Sequence, residues 1–174
     1  MLNEKMFKKL SSTVNVELKS KQQQKLYEDK PQLITCNRIK ATNSEELKVI
    51  ILHEKFFMYL LKQGYCCIGG GTYLGKHSAL RYTTNYFSYK DEGFECPYLK
   101  LENLYIQKAF QSKGMGTKLL KDLLELANEI DSAVGLWASN DKVKNWYIKL
   151  GFKELTRNND GETFMLYRAN LKCE

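Results

Sequence analysis

"LENLYIQKAFQSKGMGTKLLKDLLELANEI", residues 101–130, passes from strand-like residues through a glycine-bearing loop into leucines at helical spacing. "LENLYI" suits a strand, "QKAFQSKGMG" a loop and "TKLLKDLL" the start of a helix. The apolar face of that helix is Leu119, Leu120, Leu123, Leu124, Ala127 and Ile130. A glycine inside a helix costs about 1 kcal/mol relative to alanine. Gly114 and Gly116, one residue apart at the helix mouth, therefore point to a task for the backbone itself. Bare N–H groups there, with the positive end of the helix dipole, can hold a pyrophosphate without a charged side chain. The dinucleotide fingerprint does not fit, since its third glycine would fall at Leu119. Taken alone, a Gly-x-Gly before a helix serves equally well as a structural cap.

A second glycine cluster, "GGGTYLGKHS" at 69–78, nearly spells a nucleotide-binding loop: Gly70, four residues, Gly75, Lys76. That loop needs a hydroxyl next, and His77 stands there with Ser78 one place late. It also needs a helix to follow, whereas "ALRYTTNYFSY" (79–89) is β-branched and aromatic. A bulged hairpin or a loop between strands is the expected structure.

Working outward, 174 residues suit one domain. Residues 1–30 are polar, with "KSKQQQK" at 19–25, and are expected to form a mobile or weakly helical extension before a domain over 31–174. "QLITCNRI" (32–39) has strand composition. Thr42 to Glu45 reads as a capping box ahead of an amphipathic helix with Leu47, Ile50, Ile51, Phe57 and Leu61, stopped by Gly64. Strands are predicted in "YCCIGG" (65–70), "ALRYTTNYFSY" and "YLKLENLYI" (98–106), with "KDEG" (90–93) as a turn. After the long helix come a short buried strand "AVGLWAS" (133–139), a helix "DKVKNWYIKLG" (141–151), and a hairpin joining "FKEL" to "ETFMLYRA" through "NNDG". This order predicts a mixed α/β sheet with helices on its faces.

The net charge of +7 favours anionic partners, although lysines facing water account for it as well. "MLNEKMFKKLSSTV" lacks the apolar segment of a secretory signal, and no run reaches the ~20 apolar residues of a membrane span. Five cysteines without a Cys-x-x-Cys pair suggest reduced thiols and a cytoplasmic location. His53 and His77 have no partners at ligand spacing, so no metal is expected.

"QSKGMG" resembles the Gln/Arg-x-x-Gly-x-Gly/Ala signature of the GNAT acetyltransferases, and "NDKVKNWYIKLGFKE" (140–154) is similar to that family's second motif. The two lie in the family's order, and the likeness covers roughly residues 32–168. It implies a mixed, mostly antiparallel central sheet of about six to seven strands flanked by helices. More narrowly, "YFSY…YLKLENLYI…FQSKGMG" resembles diamine N-acetyltransferases. Lys108 stands where a proline is common, and Asn103 replaces the acid that follows Glu102.

The resemblance implies acetyl-CoA as co-substrate and a primary amine as acceptor. The cofactor would be held by the backbone of Ser112, Lys113, Gly114, Met115, Gly116 and Thr117, with Gln111 opening the signature. Leu104, Tyr105 and Ile106 would supply the strand, including a backbone N–H near Ile106 to polarise the acyl carbonyl. Asn140 would bond the pantetheine arm or neighbouring backbone, with Val143 beside it. Glu102, four residues before Ile106 and so expected on the same strand face, is the candidate base. Apolar surroundings from Leu104 and nearby tyrosines would tune it toward neutral pH. Tyr147 is the candidate acid for the leaving thiolate. Solvated ion-pairing for Glu102 and core packing beside Trp146 for Tyr147 are the structural alternatives.

Tyr82, Tyr86, Tyr89 and Tyr98 are either ordinary strand residues or walls of an acceptor pocket. A small amine such as a diamine or polyamine is the first acceptor expected, with Asp91, Glu92 and Glu95 as candidate contacts for its second charge. A protein amino group, an aminoacyl-tRNA, or a non-catalytic CoA-binding module are the alternatives. Nucleic acid and membrane are not expected as partners; the resemblance allows a homodimer.

Overall fold

The structure, a computed structural model, describes residues 2–29, 41–85 and 96–168. Its centre is one seven-stranded sheet in the order β1-β2-β3-β4-β5-β7-β6. The strands are β1 (Cys66–Gly69), β2 (Thr72–Leu74), β3 (Ser78–Asn85), β4 (Tyr98–Ile106), β5 (Ala133–Ala138), β6 (Lys153–Arg157) and β7 (Thr163–Tyr167). Every neighbouring pair is antiparallel except β4 with β5. That parallel pair is joined by the crossover helix α4 (Met115–Ile130), as a parallel connection requires. The mixed, mostly antiparallel sheet flanked by helices is thus as the sequence led one to expect.

Helices α3 (Ser44–Lys62) and α4, with α5 (Asp141–Ile148), cover one face. Leu52, Phe56 and Leu60 of α3 and Leu120, Leu123 and Ala127 of α4 meet Leu80, Tyr82, Leu99, Leu101 and Val134 of the sheet. Tyr82 and Tyr98 are core residues, not pocket walls: Tyr82 stacks on Tyr73 at 4.7 Å and Tyr98 packs on Phe164 at 5.5 Å. Tyr86, Tyr89, Asp91, Glu92, Glu95, the "KDEG" turn and the "QLITCNRI" strand lie outside the described residues.

The first residues depart from expectation. Instead of a mobile or weakly helical extension they form two packed helices, α1 (Glu4–Thr13) and α2 (Val16–Asp29). α1 lies on the sheet face opposite α4, where Phe7 and Leu2 join Cys66, Leu74, Ala79 and Tyr105. The polar run that suggested mobility is used against backbone. Gln23 accepts from the Cys67 N–H and donates to the Cys67 carbonyl, both at 2.8 Å, so its amide stands in for a strand neighbour along the β1 edge. Ser20 donates to the Leu61 carbonyl at 3.3 Å, and Gln24 donates to the same oxygen.

The capping box of α3 sits one residue later than predicted. Asn43 accepts from the Glu46 N–H at 2.9 Å, and the Glu46 carboxylate reaches back to the N–H and hydroxyl of Thr42. An asparagine caps as well as a threonine, so both registers were open to the sequence. "GGGTYLGKHS" is a bulged hairpin: β1 and β2 pair from Cys66↔Leu74 to Gly69↔Thr72 with a register shift after Cys67.

Candidate active site

β4 and β5 pair only from Tyr98↔Ala133 to Leu101↔Leu136. Beyond Leu101 the two strands part. The cause lies in β4: Tyr82 opposes Leu101 while Arg81 opposes Asn103, so Glu102 is the extra residue of a β-bulge. A bulge bends its strand and increases its twist, which turns residues 102–106 away from β5. Alternate backbone N–H groups on that stretch point away from β3 and have no β5 ladder to join.

The bulge also resets the alternation of side chains. Leu101 and Leu104 both belong to the α3/α4 side, while Tyr105 packs under Phe7 of α1 at 5.2 Å. Glu102 and Ile106 are therefore not on one face, contrary to the plain period-two count. Glu102 turns toward the α1 side.

The gap left between β4 and β5 is a cleft of about 460 Å³ that passes through the sheet. Leu104, Val143 and Tyr147 line it from the helical side; Glu102, Asn103 and Leu2 line it from the α1 side. A smaller cleft of about 240 Å³ opens on the α1 face between Leu2, Met6, Thr72, Arg81, Glu102 and Asn103. Leu2, Glu102 and Asn103 border both. Leu2 and Arg81 carried no local signal for this role; only the register of β3 and β4 and the docking of α1 bring them to Glu102.

Glu102 does not sit among apolar groups. One carboxylate oxygen is 2.9 Å from Arg81 Nε and the other accepts from the Thr83 hydroxyl at 3.2 Å. Each carboxylate oxygen keeps a second lone pair for a further donor. Tyr147 is buried against Trp146 and Phe152, with ring centroids at 4.8 and 5.5 Å. Burial pushes its phenol up to about 12, so the hydroxyl holds its proton at neutral pH.

The loop after β4 is pinned on several sides. Gln107 donates its backbone N–H to the His77 carbonyl at 2.9 Å, and the His77 ring stacks on Phe110 at 3.7 Å. Gln111 donates its amide to the Ile106 carbonyl at 2.9 Å, and Lys113 Nζ lies 5.1 Å over the Phe110 ring. Ser112 and Gly114 both take positive φ, 60° and 77°. Gly114 is the N-cap of α4 and accepts its first bond, from the Lys118 N–H at 2.8 Å. The N–H groups of Met115, Gly116 and Thr117 precede that bond and are the free donors of a helix start. A side chain at Gly116 would project toward Leu104, Ile106 and Trp146, at 3.6–3.7 Å. Free donors, a helix dipole and a bare backbone beside the cleft fit an anionic cofactor with an extended arm.

Asn140 caps α5, accepting from the Val143 N–H at 3.0 Å, which assigns its side chain a structural bond. The candidate cofactor residues are thus not all in one place. Leu104 and Val143 line the through-cleft and Gly116 faces its neighbours, whereas the Tyr105 ring is under α1 and Met115 lines a separate 260 Å³ cavity with Lys76 and His77. Among the described residues no cluster could hold a metal ion, and no helix is long and apolar enough to cross a membrane.

The family model for the acetyltransferase (GNAT) domain matches residues 61–154, more than half of the chain, and the chain belongs to this family. An uncharacterized N-acetyltransferase in the pepI 3' region of Lactobacillus delbrueckii subsp. lactis is 34% identical over 56 residues, which are 30% of this chain and 32% of that relative. The match thus spans about a third of that protein. Among solved structures, PH1933 from Pyrococcus horikoshii OT3 is similar at 21% identity, with TM-score 0.47, over 76% of this chain and 96% of that one. AtaT complexed with acetyl-methionyl-tRNAfMet is similar at 18% identity and TM-score 0.41, over 51% of this chain and 61% of that one.

Proposed function

We propose that this chain is an acetyl-CoA-dependent N-acetyltransferase acting on the primary amine of a small molecule. The observation that carries the reading is the through-cleft at the β4–β5 splay, bordered by a carboxylate, Glu102, and a buried phenol, Tyr147. The two lie among groups from opposite faces of the sheet, so a cofactor arm and an amine have separate approaches to one gap.

The cofactor, when bound, supplies an acetyl thioester whose C–S bond breaks as the amine forms a C–N bond. The N–H groups of Met115, Gly116 and Thr117 bind its phosphates. Leu104 and Val143 flank its arm and exclude water. Glu102 takes a proton from the amine, held in place by Arg81 and Thr83. Tyr147 returns a proton to the departing sulfur, and solvent carries the balancing proton from Glu102 to Tyr147. Backbone N–H groups of the unpaired β4 stretch stabilise the charge that develops on the carbonyl oxygen.

The size of the smaller cleft supports a small acceptor: about 240 Å³ lies below the roughly 300 Å³ at which drug-sized sites begin. Thiol release from acetyl-CoA, screened over diamines, amino acids and short peptides, tests the reading. Release with a small amine is the expected result. Absence of CoA binding, read as no thermal shift at millimolar CoA, would overturn it.

A further inference from the structure

We infer that the acceptor carries an anionic group beside its amine, as a free α-amino acid does, and that Arg81 holds that group; this rests on the acetyltransferase reading above. Arg81 approaches Glu102 through Nε, at 2.9 Å. No second acidic residue among the described ones pairs with its guanidinium, and its side chain is half exposed, at 50%. A guanidinium presents five N–H donors in a fixed fork, so pairing through Nε leaves the Nη donors for a planar anion.

The register fixes where those donors lie. Arg81 opposes Asn103 in the β3–β4 ladder, next to the bulged Glu102, and all three border the 240 Å³ cleft. A cation and a carboxylate side by side match the zwitterion of an α-amino acid, ammonium toward Glu102 and carboxylate toward Arg81. Around them, Leu2 and Met6 of the α1 segment and Thr72 form a mixed wall for a side chain. A dication finds only one acid in this cleft, Glu102, and its second charge would face Arg81 with no carboxylate to meet it. The larger cleft does contain Glu162, but that carboxylate accepts from Asn158 at 3.2 Å, and Lys100 shares the lining.

The test compares matched acceptors with the full chain: a free amino acid, its methyl ester, the amine left by removing its carboxyl group, and putrescine. The expected result is a kcat/KM for the free acid at least ~10-fold above the ester and the amine, the size of one charge-assisted contact. Arg81→Gln lowers turnover of all four by loosening Glu102, but collapses the ratio of acid to amine toward one, mainly through KM. Arg81→Lys restores part of that ratio. Calorimetric binding of the same four compounds to the CoA-loaded protein gives the ranking without turnover. Equal use or equal binding of acid, ester and amine, or a preference for putrescine, would overturn the inference while acetyl transfer stands. Loss of CoA binding is a different result, and it removes the proposed function together with this one.

Discussion

The indole N–H of Trp146 donates to Thr117 Oγ1 across 3.2 Å, fastening α5 to the first turn of α4. The glycine turn proposed above to hold phosphate is thereby tied to the helix that carries Tyr147. Trp146→Phe keeps an aromatic ring and removes the donor. A neutral hydrogen bond of about 0.5–1.5 kcal/mol should be lost. The expected outcome is a Tm lower by roughly 1–6 °C and a CoA affinity reduced about 3–10-fold, read by thermal melts and titration calorimetry.

Gly114 and Gly116 should separate backbone conformation from ligand access. Gly114 needs a φ of 77°, so Gly114→Ala is expected to lose about 1–2 kcal/mol of stability. Gly116 is helical, and a Cβ there would make ordinary contacts at 3.6 Å or more. Gly116→Ala should therefore fold at least as well as the parent. If it also binds CoA as tightly, the bare backbone at 116 has no part in holding the cofactor; weaker binding in a stable variant is the predicted result.

Tyr147 makes an alkaline prediction. Its folded value, near 12, exceeds the ordinary value near 10, so the unfolded chain loses this proton first as pH rises. The stabilisation is complete below about pH 10 and drains away between 10 and 12. Denaturant melts of Tyr147→Phe should show a shallower fall over that window than the parent. At neutral pH the same variant, like Glu102→Gln, should lose turnover on the order of 10²-fold with CoA affinity retained.

His53 acts at the other end of the scale. It is packed on Tyr82 at 5.2 Å, and burial lowers its pKa below 6.5. Below pH 6.5 the unfolded chain takes up this proton before the folded one, so stability falls as pH drops through the shifted value. His53→Gln should flatten that acid-side slope in urea melts between pH 7 and 5.

The parts legible in sequence were those written locally. Leucines at 3.6-residue spacing and the two glycines marked α4, and "AVGLWAS" and "DKVKNWYIKLG" marked β5 and α5, because a periodic face or a cap needs no knowledge of a partner. The bulge at Glu102 was hidden for the opposite reason. It exists only as an offset between β3 and β4, and it decides that Leu104 and Ile106 turn to the helical side while Glu102 stays with Arg81. The docking of α2 was missed because many of its binding groups are polar. Gln23, Ser20 and Gln24 dock onto backbone, and composition reads such residues as solvated. Leu2 and Arg81 belong to the same class, as their place follows from a docking and a register.

Gln23 has a bearing on how copies of this protein can meet. Its side chain takes up both backbone groups of Cys67 at the β1 rim, and among the described residues no strand pairs with the outer side of β6. A sheet with one stoppered rim can be lengthened only at the other. Two copies joined antiparallel at β6 would each present a sealed β1 to the outside, so the doubled sheet would have no rim left to recruit a third. Strand addition confined to β6 would then stop at a pair, with Gln23 closing the opposite rim at Cys67.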